Sequence, residues 1–95
     1  MPQEIIEKEP KLGETKPYPN YRVVLLNDEH NTFEHVASCL SKHIPGMSQD
    51  RAWKLTLKVH NEGCAIVWVG PKEIAEMYYE LLKAEGLTLK LEPEA

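Results

Sequence analysis

The side chains best suited to chemistry in this sequence follow two apolar segments. Asn27, Asp28 and Glu29 place an amide and two carboxylates directly after the apolar run 23–26, and His60 stands at the end of a second apolar segment. We expect the two ends to meet, so that an amide, a carboxylate and an imidazole form one small polar site beside an apolar pocket. The net charge of −4 suits a ligand that carries a positive group.

Each of these residues also has a purely structural interpretation. Asn27 and Asp28 form a pair typical of turns, in which the side chains bond their own backbone. His60 would be well placed at a helix C terminus even without a ligand, because the helix dipole is negative there. The residues alone leave both interpretations open.

Hydrophobic periodicity predicts three strands and three helices around this site. The predicted strands are 21–27, 64–69 and 87–91. The helices are predicted to begin near Asn31, Ser48 and Pro71. Because three strands cannot cover themselves, the helices must lie on one face of the sheet. The sequence therefore predicts an α+β domain, a small three-stranded antiparallel sheet packed on three helices in the order β-α-α-β-α-β.

Local signals set the expected ends and faces of the helices. Asn31 and Ser48 are good N-cap residues, Glu34 follows Asn31 as in a capping box, and Gly63 can end the second helix in a left-handed conformation. On the third helix the apolar residues are expected to face the core; they are Ile74, Met77, Tyr78, Leu81 and Leu82.

The first 20 residues differ from the rest in composition. They contain Pro2, Pro10, Pro17 and Pro19 among alternating acidic and basic residues. Proline disfavours both helix and central strand, and little of this segment can be buried. We therefore predict a flexible N-terminal extension, 1–20, followed by one core domain, 21–95.

Three short patterns, taken in order and at their spacing, resemble the ClpS family of adaptors, which hand substrates to Clp AAA+ unfoldase–protease machines. The patterns are Leu25-Leu26-Asn27-Asp28, Val59-His60-x-x-Gly63 and Glu73-Ile74-Ala75-Glu76. The resemblance extends from Tyr21 to about Glu92. It implies a non-catalytic peptide-binding adaptor, predicted to be monomeric and to need no cofactor.

The resemblance also implies roles for particular residues. Asn27, Asp28 and His60 would hold the free α-amino group of a substrate whose first residue is Phe, Leu, Tyr or Trp, an N-degron. The chemistry supports these roles, because an ammonium group has three donors and no acceptor, and the amide, the carboxylate and a neutral imidazole can each supply an acceptor. Alanine at position 27 or 28 is then expected to weaken binding and to leave the fold intact. The pocket for the substrate side chain would be formed by Phe33, Val36, Thr56, Leu57, Val59 and Leu89.

Partner docking is implied on the third helix, through Glu73 and near Tyr78, to the N-terminal domain of an unfoldase of the ClpA or ClpC type. The extension 1–20 would take part in delivery. Three positions depart from the family, which usually has Met at the positions of Phe33 and Thr56 and commonly has a basic residue near Tyr78. The stiff ring of Phe33 should narrow the entrance of the pocket, and the shorter side chain of Thr56 should leave more room at its bottom.

Other classes of function find less support in the sequence. The acidic balance argues against non-specific nucleic-acid binding, and no run of about 18 apolar residues predicts a membrane span. With no signal peptide visible, Cys39 and Cys64 are predicted to be reduced thiols, in the cytoplasm or the plastid stroma. Two rivals remain: an interaction domain that has lost degron recognition, and a small metal-binding protein. The latter would use Asp28, His30, His35 and Cys39.

Overall fold

The computed structural model describes residues 19–94, and the predicted flexible extension lies almost wholly outside them. The predicted order of elements, β-α-α-β-α-β, is confirmed. The elements are β1 (Tyr21–Leu26), α1 (Phe33–His43), α2 (Gln49–Glu62), β2 (Cys64–Gly70), α3 (Lys72–Ala84) and β3 (Leu89–Pro93).

The sheet places the first strand in its centre. The strand order is β2-β1-β3, and both neighbours run antiparallel to β1. Val23 and Leu25 point into the core, where they are almost fully buried with Leu40 of α1 and Leu82 of α3. As the middle strand is fixed on both sides, the polar residues that follow it leave the sheet from a rigid element.

The helix ends follow local rules, with one correction to the sequence prediction. Thr32, not Asn31, caps α1, and its hydroxyl accepts a hydrogen bond of 3.1 Å from the backbone N–H of His35. Ser48 caps α2 as predicted, and Gly63 ends that helix in the left-handed region with φ of 94°. The Asn31 side chain is used elsewhere, in the loop that follows β1.

The buried face of α3 differs from the predicted one. Ala75 and Leu82 are fully buried, whereas Ile74, Met77 and Leu81 are 41%, 49% and 39% exposed. A narrow three-stranded sheet covers only a narrow stripe of a helix, and the stripe that it covers is centred on the small residue Ala75. The expectation that the whole apolar set faces the core was therefore wrong for these three residues.

Aromatic packing fixes the far end of β2 against α3. The rings of Trp68 and Tyr78 meet edge to face, with centroids 5.0 Å apart. The Trp68 indole also lies over Gly70, where an added β carbon would come within 2.2 Å of the ring. Tyr78 is therefore half-buried and held in place by the core of the domain.

Glu85 and Gly86, which follow α3, anchor α1 and the loop before it. His35 Nε2 donates to the carbonyl oxygen of Glu85 at 2.8 Å, and the Glu85 carboxylate accepts from His43 at 2.7 Å and from Lys42 at 3.3 Å. These partners, His43 foremost, hold the pKa of Glu85 below its usual value. The Asn31 side chain donates to the carbonyl oxygen of Gly86 at 2.9 Å. These bonds set the position of the residues between β1 and α1.

Candidate functional site

The loop after β1 is built around the carboxylate of Asp28. Its Oδ1 accepts hydrogen bonds from the backbone N–H groups of His30 at 2.9 Å and Asn31 at 3.0 Å. Its Oδ2 accepts from the Asn31 side chain at 3.0 Å and from the Thr88 hydroxyl at 2.8 Å. A carboxylate has about four acceptor positions, so all of those on Asp28 are occupied.

This hydrogen bonding changes the acidity of Asp28. Partial burial raises its pKa, but the bonds from the Asn31 and His30 backbone and from the Thr88 and Asn31 side chains outweigh burial and lower the pKa from 3.8 to about 2. Hydrogen bonds to the charged form stabilise that form. Asp28 therefore supplies a fixed negative charge at the exit of β1.

The exit of β1 meets the end of α2, as the sequence analysis expected. The backbone N–H of Asn27 donates to the carbonyl oxygen of Gly63 at 3.0 Å. His60, in the last turn of α2, lies edge to face with Phe33 at a centroid distance of 4.9 Å. Within residues 19–94, neither the Asn27 amide nor the His60 ring has a side-chain hydrogen-bond partner, and both residues are exposed. Both side chains are therefore available acceptors.

One cavity connects these groups to an apolar interior. Asn27, Asp28 and His60 line it together with four of the six predicted pocket residues. The full lining is Leu25, Leu26, Asn27, Asp28, Asn31, Phe33, Val36, Thr56, Val59, His60 and Leu87. An amide, a carboxylate and an imidazole thus stand at the mouth of a mainly apolar pocket. This arrangement can bind a group that carries both a positive charge and an apolar side chain.

Two predicted pocket residues, Leu57 and Leu89, do not line the cavity. Leu57 is 36% exposed on the outer face of α2, because its neighbour Thr56 takes the inward position. Leu89 packs against the core from β3, where it pairs with Leu25. Leu87, buried just before β3, occupies the cavity wall instead.

Asn31 also belongs to this site, although it was not among the residues predicted from the sequence. A signal for it was present, because Asp and Asn side chains commonly hydrogen-bond nearby backbone groups in turns. Asn31 lines the cavity and closes the loop by bonding both Asp28 and Gly86. It is therefore a positioning residue for the mouth of the pocket.

The interior of the cavity is apolar and small. The Thr56 hydroxyl donates to the Ala52 carbonyl oxygen at 2.8 Å, so its hydrogen-bonding capacity is used within α2. The cavity volume is about 30 Å³, enough for one or two water molecules. At the rim, the ring of Phe33 lies between His60 and Trp53, with centroids at 4.9 Å and 6.1 Å. Phe33 therefore forms the aromatic rim of the cavity.

The two residues predicted for partner docking lie on different parts of α3. Glu73 is exposed in the first turn of the helix, whereas Tyr78 is half-buried against Trp68. Five residues apart, they are separated by about 140° around the helix axis. Glu73 instead has exposed apolar neighbours, Ile74 and Met77.

Two residues of the metal-binding alternative, Asp28 and His35, are engaged in other contacts. Asp28 bonds its own loop, and His35 bonds Glu85. Burial and the charge of Glu85 raise the pKa of the Cys39 thiol, which disfavours the thiolate that a metal would need. Within residues 19–94, no three His, Cys, Asp or Glu side chains are grouped so that they could hold a metal ion.

None of the helices that the structure describes is both long enough and apolar enough to cross a membrane.

Comparison with known proteins finds matches in one family. The family model described as "ATP-dependent Clp protease adaptor protein ClpS" matches residues 16–91. Two relatives are named ATP-dependent Clp protease adapter protein ClpS. The one from Thermosynechococcus vestitus is 57% identical over 91 residues, covering 95% of this chain and 97% of the relative. The one from a Nostoc species is 62% identical over 74 residues, covering 78% and 76%.

A solved structure matches the fold as well. It is Agrobacterium tumefaciens ClpS2 bound to L-phenylalaninamide, with a TM-score of 0.69 and 32% sequence identity. The match covers 80% of this chain and 98% of the solved one. The α+β architecture, the family match and these identities lead to one conclusion. The chain belongs to the ClpS family of adaptors of the ATP-dependent Clp protease.

Proposed function

We propose that this protein binds the N-terminal residue of N-degron substrates and delivers them to a Clp AAA+ unfoldase–protease. The observation that carries the proposal is the single cavity in which Asn27, Asp28 and His60 stand above an apolar interior. L-phenylalaninamide, the ligand of the related Agrobacterium protein, has a free α-amino group and an aromatic side chain. These are the two groups that such a cavity would recognise.

The three polar residues are expected to contribute to binding of the α-amino group in different ways. The Asn27 amide oxygen and a neutral His60 nitrogen can each accept a hydrogen bond directly. Asp28 already accepts three bonds from its own loop and one from Thr88, so it would act through its negative charge and by holding Asn27 in position. The interaction of an ammonium group with this charge is strengthened by the apolar surroundings.

The substrate side chain is proposed to enter the apolar part of the cavity, between Val36, Thr56 and Val59. Because the cavity volume is about 30 Å³, we expect the rim to open when a large side chain binds. Phe33 is half-buried and His60 is exposed, and their rings contact each other. Rotation of these two side chains is the smallest movement that would admit a large side chain.

The Phe33 ring should make the pocket selective at the β carbon of the ligand. We expect the wild type to accept Phe, Tyr, Trp and Leu and to reject Ile and Val, whose branched β carbons would meet the ring. Phe33→Ala is expected to bind peptides that begin with Ile or Val about tenfold more tightly than the wild type does, because the ring that their branched β carbons would meet is removed. The measurement is fluorescence anisotropy with peptides that differ only at the first residue. Equal binding of Ile and Leu by the wild type would show that Phe33 is not a gate.

Docking to the unfoldase is proposed to use the exposed start of α3. Glu73 supplies a charge there, and Ile74 and Met77 supply exposed apolar surface. Tyr78 is held against Trp68, so its part in docking would be limited to its exposed edge. A monomeric adaptor with one such surface would leave the degron pocket free at the other end of the sheet.

A reconstituted degradation assay tests delivery. The protein is expected to accelerate, by at least about fivefold, degradation by a Clp AAA+ unfoldase–protease of a reporter that begins with Phe, and to leave a reporter beginning with Met unaffected. Glu73→Lys should reduce this acceleration without changing peptide affinity, while Asp50→Lys, an exposed position in the first turn of α2, serves as the control. The same acceleration for both reporters would contradict N-degron delivery.

A further inference from the structure

A second concave surface lies beside the candidate site, between the outer faces of α1 and α2. Its cavity volume is about 250 Å³, below the range of pockets for drug-sized ligands and suited to a single side chain. It is lined by Glu34, Ala37, Ser38, Ser41, Gln49 and Trp53. We name it the Trp53 groove.

The Trp53 groove lies next to the rim of the first cavity. We call that cavity, which is lined by Asn27, Asp28 and His60, the degron cavity. Phe33 lines the degron cavity, and its ring meets the indole of Trp53 edge to face at 6.1 Å. The indole itself is 39% exposed and belongs to the groove. A chain that leaves the degron cavity over Phe33 therefore reaches Trp53 next.

The contact between the two rings indicates which part of a ligand would reach the groove. Phe33, at the rim of the cavity, touches Trp53 of the groove. An extended chain advances about 3.3–3.6 Å per residue, so the residues that could reach the groove are those next to the one in the cavity. The second or third residue of a bound degron would place its side chain in the groove.

The chemistry of the lining selects among possible side chains. Glu34 is the one charged residue among those that line the groove, and it is exposed. The face of an indole attracts cations, and arginine can also stack on it. A carboxylate and an indole together favour a cationic side chain and disfavour an acidic one.

We propose that the Trp53 groove is a second subsite for the degron, which takes an arginine or lysine at its second or third position. This inference rests on the proposed function, because it assumes that the first residue occupies the neighbouring cavity. Trp53 and Glu34 would then determine the relative affinities of substrates that share the same first residue.

The test uses labelled peptides that begin Phe-Gly-Gly, Phe-Arg-Gly, Phe-Gly-Arg and Phe-Glu-Gly, with identical remaining residues. Binding is measured by anisotropy on the wild type and on Trp53→Ala. Leu57→Ala is the control, because Leu57 is exposed on α2 outside both cavities. One of the arginine peptides should bind the wild type about three- to tenfold more tightly than Phe-Gly-Gly, and the glutamate peptide should bind least tightly.

Trp53→Ala should abolish the arginine advantage and leave the affinity for Phe-Gly-Gly within about twofold, and Leu57→Ala should retain the advantage. Equal affinities for the arginine and glycine peptides on the wild type would overturn the subsite. So would an equal loss for all peptides in Trp53→Ala, since Trp53 would then only support Phe33. Failure of every peptide to bind the wild type would overturn the proposed function itself, and this inference with it.

Discussion

Replacing Asn27 by alanine is expected to weaken binding of a Phe-initiated peptide by about 10- to 150-fold. The reason is the loss of a hydrogen bond to a charged group, of order 1.5–3 kcal/mol. The Asn27 side chain is exposed and has no partner in residues 19–94, so its removal breaks no internal side-chain bond. The backbone bond from Asn27 to Gly63 is retained in the variant. The fold and its melting temperature should therefore change little.

A matched control is available one residue beyond His60. Asn61 is an exposed asparagine in the last turn of α2, outside the lining of the cavity. Asn61→Ala should bind the peptide as the wild type does. If Asn27→Ala also bound at wild-type affinity, the amide would have no part in recognising the α-amino group.

Replacing Asp28 by alanine should affect both stability and binding. Four hydrogen bonds to its carboxylate hold His30, Asn31 and Thr88 in place, and their loss is expected to lower the free energy of unfolding by about 2–3 kcal/mol. The sequence alone suggested that this substitution would leave the fold intact; the four bonds change that expectation. Peptide binding should fall as well, because the variant loses the fixed negative charge and the order of the loop.

The pH dependence of the free energy of unfolding distinguishes the effect of the hydrogen bonds to the ionised Asp28 carboxylate from a simple loss of packing. The pKa of Asp28 is lowered from 3.8 to about 2, so the stability that its ionised form contributes is present above pH 3.8 and is lost as the pH falls towards 2. Urea unfolding between pH 2 and pH 6 should therefore show a shallower loss in Asp28→Asn than in the wild type.

Among residues 19–94, Glu85 is a second carboxylate whose pKa is lowered, chiefly by its hydrogen bond from His43, and Glu85→Gln gives a comparison over the same measured range of pH 2 to 6. Each variant should remove its own share of the acid-induced loss of stability. Parallel curves for the wild type and Asp28→Asn would show that the Asp28 hydrogen bonds do not persist in solution.

The elements of the fold could be predicted because their signals are local. Apolar runs and alternation defined the strands, Ser48 and Gly63 marked the ends of α2, and all these features act within a few residues. The exposed face of α3 was missed because it depends on how much of a helix a three-stranded sheet can cover. That coverage is a tertiary property, and periodicity alone does not report it.

The polar part of the site was predictable for a similar reason, since Asn27, Asp28 and His60 are each next to an apolar segment. The apolar lining was predicted only in part. Leu87 comes from the opposite end of the chain, and its place in the cavity depends on the register of β3 against β1. The contact between Phe33 and Trp53, which joins the two concave surfaces, depends on the packing of α1 on α2.

The double role of Asp28 shows why the structural and the functional interpretations of a turn pair are compatible. The Asx-type bonds that the sequence suggested as an alternative are present. They also leave the Asn27 amide exposed at the mouth of the cavity and fix a charge beside it. The hydrogen bonds within the loop thus place hydrogen-bond acceptors and a negative charge where a ligand can reach them.

The most direct test of N-terminal recognition is an anisotropy titration with one Phe-initiated peptide and the same peptide acetylated at its N terminus. Acetylation removes the positive charge and two of the three N–H donors and leaves the side chain unchanged. We expect the free peptide to bind at least about a hundredfold more tightly than the acetylated one, since charge-assisted hydrogen bonds are lost. Equal affinities for the two peptides would contradict the assignment of Asn27, Asp28 and His60 to the α-amino group.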